Sequence, residues 1–131
     1  MIVFDASTVV SAALKTDSVP QQALLRAAES DVFALSNAVD AEIAEVLGRP
    51  KFARLLSREP CERGLDILRR DAVWYDPVLR ITECRDPKDD KYLELALAAG
   101  AEVIVSSDGD LLVLHPWRGV HILRPSDYLT F

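Results

Sequence analysis

Five short apolar runs constrain this chain more than any other feature. They are Ile2-Val3-Phe4 and residues 32–35, 72–75, 103–106 and 120–123. Each is too short for a buried helix and rich in β-branched or aromatic side chains, which predicts strands buried on both faces. Helical signals fill the gaps. Asp5 can cap a helix over residues 6–14. Ser18, with Pro20 in the first turn, opens one that runs to about residue 29. Ser36 or Asn37 can cap a helix over 38–47, stopped by Gly48 and Pro50. Residues 52–70 read as one or two helices broken near Pro60. Asp86-Pro87 start a helix over 88–99 that Gly100 ends, and a helical turn at 125–129 follows the last strand. Strands alternating with helices predict a three-layer α/β/α sandwich on a mainly parallel sheet of four or five strands. Its 131 residues hold no repeat, linker or low-complexity segment, so a single domain over 1–131 is expected.

Half of the residues are hydrophobic, enough for a sizeable core, and the net charge is −6. That balance excludes non-specific adhesion to nucleic acid through overall charge, but not a local basic patch. No apolar run reaches the roughly 18–20 residues that span a bilayer. The opening MIVFDAST lacks the basic and apolar regions of a signal peptide. Cys61 and Cys84 are too few for a disulfide framework and lack metal-ligand spacing. The expectation is a cytoplasmic protein with two free thiols.

The chemistry lies in acids at strand and helix ends. The fourth run reads VIVSSDGD, so Asp108 and Asp110 follow a buried strand closely, and Asp5 directly follows the first. In an open parallel sheet, ligands sit beyond the carboxyl ends of the strands. Glu42 stands among Val39, Ile43 and Val46 on a helix, either a boundary residue or an inward ligand; Glu45 reads as solvated. In RDPKDDKY, Asp86 suits an N-cap, Pro87 the next position and Asp89 the first turn. Each acid alone has a simple explanation as a cap or turn residue. Together they would crowd one sheet edge with like charges, an arrangement suited to a hard divalent cation such as Mg²⁺ or Mn²⁺.

Four segments in order, IVFDASTVVSAAL, AEIAEVLGRPKF, RDPKDDKYLELALAAGAEVIVSSDGDLL and VHILRPSDYL, resemble the PIN-domain family. They look most like its small bacterial members, the VapC-like ribonuclease toxins of toxin–antitoxin pairs. The resemblance implies metal-dependent hydrolysis of RNA phosphodiester bonds with Mg²⁺ or Mn²⁺. It carries the catalytic acids onto Asp5, Glu42, Asp89 and Asp108. Metal ligation would fall to Asp5, Asp89, Asp108 and Asp110, with Asp90 the neighbour that could replace Asp89. Ser7, Asp86, Asp90 and Ser107 would support these from behind. Ser7 stands where relatives often carry Asn, and Ser106-Ser107 where they often carry Thr-Gly or Thr-Arg. The family also implies a cognate antitoxin, a homodimer or larger assembly, and dimer or antitoxin contacts on the early helices. Leu14, Leu24, Leu25, Val32 and Leu35 read from sequence as core residues instead.

Residues 49–70 hold seven basic and three acidic side chains. Arg49, Lys51 and Arg54 are candidates to steer RNA phosphates, although a solvated helical face or an antitoxin contact would give the same composition. His115 and His121 occupy no nucleophile motif, and His115 is expected at the surface. A haloacid dehalogenase-type phosphatase would need an aspartate at position 7. A receiver domain would need an acid after Asp5 and a basic lysine where Arg124 stands. The alternative that remains is a PIN-fold module that binds RNA or protein with weak or no catalysis.

Overall fold

A computed structural model describes residues 1–53, 65–66 and 68–131. Among the described residues five strands form: β1 (Ile2–Phe4), β2 (Ala34–Leu35), β3 (Val73–Trp74), β4 (Val103–Val105) and β5 (His121–Leu123). Among the described residues the helices are α1 (Ala6–Leu14), α2 (Val19–Ser30), α3 (Asn37–Leu47), α4 (Pro50–Ala53), α5 (Asp90–Ala99), α6 (Gly109–Leu112) and α7 (Pro125–Leu129), and residues 65–66 and 68–71 are also helical. The fold is α/β, and every strand pairing is parallel. One sheet runs β1-β4-β5 and a second β2-β3. A parallel bridge between Ile2 and Phe33, with the Ile2 N–H on the Val32 carbonyl at 2.9 Å, joins them into the row β3-β2-β1-β4-β5.

Local chemistry fixes the helix starts. Asp5, Ser18 and Ser36 each accept a backbone N–H from the residue three further on, satisfying a donor that the helix leaves orphaned. Gly100 ends α5 at φ 61°, in the left-handed region where a side chain would be strained. The chain steps from β1 to β2 to β3 in one direction and then returns past β1 to β4. Right-handed crossovers therefore put α1–α4 on one face and α5 on the other. The core forms between them: Ile2, Val3, Ile43, Leu93, Leu95, Ile104, Val105 and Leu111 are fully buried.

Several expectations shift. The segment after Asp86 winds first as a 3-10 turn, Pro87–Asp89, so α5 starts at Asp90 rather than at 88. Helix α6 was not expected, since its four residues are too few to show a period. Strand β3 is not buried on both faces; it is an edge strand, with Val73 42% and Trp74 43% exposed. Among the residues read as core, Leu35 is buried and Leu14 and Leu24 are half-buried, but Leu25 and Val32 are exposed. Cys84 is a free, half-buried thiol, pushed up to about 12 chiefly by burial, with Asp90 also contributing. Cys61 lies outside the described residues. No described helix is long and apolar enough to cross a membrane.

Candidate metal centre

The strand row changes direction between β1 and β4, and the register pairs Phe4 with Val105. The ladder continues one step: the Asp5 N–H donates to the Val105 carbonyl at 3.1 Å, and the Ser106 N–H to Leu123 at 2.9 Å. Asp5 and Ser106 therefore stand side by side at the carboxyl ends of neighbouring strands, where an α/β sheet opens a crevice.

Asp5 is 3% exposed. Its Oδ1 accepts from the Thr8 N–H at 2.9 Å and the Ser7 hydroxyl at 3.2 Å. Its Oδ2 accepts from the Ser106 hydroxyl at 2.5 Å. Burial raises its pKa above the usual carboxylate value, and these donors pull the other way. Ser106 is fully buried, and its Oγ also accepts the Asp108 N–H at 2.9 Å. One hydroxyl thus ties the acid after β1 to the acid after β4. Asp108 caps α6 by accepting the Asp110 N–H at 2.9 Å.

Asp89, at the end of the 3-10 turn, completes the group. Carboxylate oxygens of Asp89, Asp108 and Asp110 all lie within 4.8 Å of one another. Burial first, then the charge of Asp108 and a hydrogen bond with it, push the Asp89 carboxyl up to about 7; Asp86 and Glu42 add to the effect. Its Oδ2 is buried without a hydrogen-bond partner. A buried carboxylate oxygen left unpaired beside two further carboxylates costs free energy that a cation would recover. The donors are all oxygen, the set that Mg²⁺ and Mn²⁺ prefer, so these residues fit a hard divalent ion.

The other predicted residues fall around this trio. Glu42, half-buried on α3, accepts from Lys91 Nζ at 2.5 Å and the Tyr92 hydroxyl at 2.8 Å. The Tyr92 oxygen itself accepts the Ala6 N–H at 3.0 Å, so Tyr92 links the start of α1 to Glu42. Asp90 turns away from the trio: its Oδ1 accepts the N–H groups of Glu83 and Cys84 at 3.1 and 2.9 Å and fixes the preceding loop. Asp86 caps the 3-10 turn through the Lys88 N–H at 3.0 Å. Ser107 is exposed, and the serine that contacts Asp5 is Ser106. Arg85 pairs with Asp110 at 3.0 Å.

The basic segment is less free than its composition suggests. Arg49 grips Glu45 at 3.1 and 2.9 Å, Arg69 pairs with Asp40 and Arg70 with Asp71. Lys51 lies over the Phe52 ring at 5.6 Å. Arg54 lies outside the described residues. His115 is exposed, and its Nδ1 accepts the Ile122 N–H at 2.8 Å.

Lys91, Tyr92 and Arg85 are not among the site residues read from the sequence, and Ser106 enters only within the Ser106-Ser107 pair, of which Ser107 is the one expected to support the acids. Tyr92 carried a partial signal, because it falls on the apolar stripe with Leu95 and Ala96. That pattern reports burial and is silent on where a hydroxyl points.

The PIN-domain family model matches residues 1–110, a span that includes every acidic position from Asp5 to Asp110. This chain belongs to the PIN-domain family. The PIN domain is a nuclease-type fold, and its members are commonly metal-dependent nucleases. No curated protein matches the sequence.

Proposed function

We propose that this protein is a Mg²⁺- or Mn²⁺-dependent endoribonuclease, the toxin of a toxin–antitoxin pair. The observation that carries the reading is the Asp89–Asp108–Asp110 group, with the Asp89 Oδ2 buried and unpaired. Asp89, Asp108 and Asp110 would hold the ion, with Asp5 beside them through Ser106. When bound, the ion supplies polarisation of a phosphoryl oxygen and a water of lowered pKa. The chain's own part is positional. Ser106 holds Asp5 and Asp108 in fixed relation, and Lys91 and Tyr92 hold Glu42 at the border of the centre. Arg85 and Lys91 put positive charge beside the acids, where an incoming phosphate needs it.

Expected partners are an RNA substrate, a cognate antitoxin and a second copy of the chain, in the cytoplasm. Exposed Val73 and Trp74 on the β3 edge, and exposed Val78 and Leu79 in the loop that follows, support assembly of this kind.

The test is cleavage of a mixed RNA panel with added Mn²⁺ or Mg²⁺ by wild type, Asp5→Asn and Asp108→Asn. Metal-dependent cleavage by wild type, reduced at least 100-fold in both variants, is the expected result. The toxin role further predicts that expression arrests growth of a bacterial host, and that Asp108→Asn does not. A second reading, a PIN-fold module that binds RNA or protein without turnover, draws on the pairing of Glu42 with Lys91 and of Asp110 with Arg85. Tight Mn²⁺ binding with no cleavage across the panel would favour it.

A further inference from the structure

A cavity of about 230 Å³ lies beside the acidic centre without being part of it. It sits at the carboxyl ends of β2 and β3. Asn37 at the start of α3, Tyr75 and Asp76 after β3, Arg80, and Lys91 and Glu94 on α5 line it. Lys91 also bonds Glu42, so one side chain belongs to both the cavity wall and the border of the metal centre.

The volume is below the roughly 300–1,000 Å³ of a whole-ligand pocket, which suits a single ring system. The lining decides what kind. Two carboxylates, Asp76 and Glu94, face the same space as two cations, so a phosphate would meet repulsion as well as attraction. Arg80 and Asp76 share the cavity without pairing, and among the described residues neither forms an ion pair elsewhere. Glu94 gives one oxygen to the Ile81 N–H at 2.9 Å and keeps the other. Tyr75 is the sole aromatic among the lining residues. A carboxylate, a guanidinium and an aromatic ring on one cavity wall complement a nucleobase with adjacent N–H donors and ring acceptors. Guanine has that pattern: its N1–H and N2 amine suit a carboxylate, and O6 and N7 suit arginine. Adenine offers an acceptor at N1, which a carboxylate rejects.

We propose that this cavity receives a guanine base flanking the scissile phosphate, with Asp76, Arg80 and Tyr75 as its recognition residues. The proposal rests on the ribonuclease reading above.

The test uses the full chain and uridine oligonucleotides carrying one guanine, inosine or adenine at successive positions. Cleavage in Mn²⁺ is measured for wild type, Asp76→Asn, Tyr75→Phe and Tyr75→Ala, with Mn²⁺ affinity measured in parallel. Guanine at one fixed distance from the cut is expected to lower KM about tenfold relative to adenine, the effect of one charge-assisted hydrogen bond. Inosine, lacking the N2 amine, should fall between. Asp76→Asn should erase the preference, Tyr75→Phe should keep it, and Mn²⁺ affinity should not change. Cleavage with no base preference, or with a preference that Asp76→Asn leaves intact, overturns the proposal. If wild type cuts nothing, the ribonuclease reading fails, and fluorescence anisotropy with the same labelled oligonucleotides decides separately. Guanine-dependent binding lost in Asp76→Asn supports the cavity's role; equal binding of all oligonucleotides, or none, refutes it.

Discussion

Ser106 carries more of the centre than its size suggests. Its buried hydroxyl donates a hydrogen bond to Asp5 and accepts one from the Asp108 backbone N–H. Ser106→Ala would strand a buried carboxylate oxygen, and it is expected to cost about 1–3 kcal/mol in urea unfolding. Asp89 sets a pH response. Its carboxyl titrates at about 7 in the folded chain and near the ordinary value of about 4 when unfolded. Between those values the folded state binds more protons, so the metal-free protein should lose stability as pH rises from about 4 to about 7. Asp89→Asn should make that fall shallower. Mn²⁺ affinity, which needs the ionised carboxylate, should rise over the upper part of the same range and level off above it. Calorimetry and thermal melts at stepped pH check both. At this scale the sequence is only half legible. Asp89 and Asp90 are both acids at a helix start, and no spacing rule separates them, because the 3-10 turn rotates them differently from an α-helix. Ser106 and Ser107 are equally ambiguous until the β4–β5 ladder shows which one continues the strand.

Helix α1 shows how one residue can satisfy two explanations. Asp5 was open to reading as a cap or as a ligand. One oxygen accepts the Thr8 N–H and caps α1, and the other meets Ser106 at the centre. Asp5→Asn keeps a capping acceptor and is expected to leave the melting temperature close to wild type while weakening Mn²⁺ binding. Asp5→Ala removes both and should cost about a further 1 kcal/mol. Helical circular dichroism on heating, beside a metal titration, separates the two effects. Elements of this kind were legible because caps and apolar stripes are local. What stayed hidden was short: α6, begun by a glycine and four residues long, and the edge position of β3, which depends on a neighbour that is absent rather than on any residue in the strand.

The whole molecule depends on a strand order that no local pattern encodes. Alternating elements indicate a parallel sheet, but only the long return from β3 past β1 to β4 brings Asp5 to Ser106 and Asp108. The acid cluster was anticipated as a group because each acid closely follows a strand or opens a helix. Its inner membership, Asp89 with Asp108 and Asp110 while the expected ligand Asp5 stands outside that trio, follows from packing. If the cluster holds a cation in the folded state alone, Mn²⁺ at about 100 times its dissociation constant should add about 2.7 kcal/mol to stability. That corresponds to roughly 10 °C for a domain of this size, read by differential scanning calorimetry. Asp108→Asn should lose most of that gain, and a chelator should reverse it in wild type.

The hydrogen bond between Ser106 and Asp5 spans 101 positions of the chain. A ribosome makes Asp5 first and must add β2, β3 and α5 before Ser106 exists. At roughly 5–20 residues per second, the first half of the centre waits on the order of 5–20 s for the second. A nascent chain thus lacks the assembled centre until β4 has been made, and translation that stalls before β4 releases a fragment in which Asp5 has no Ser106 to meet.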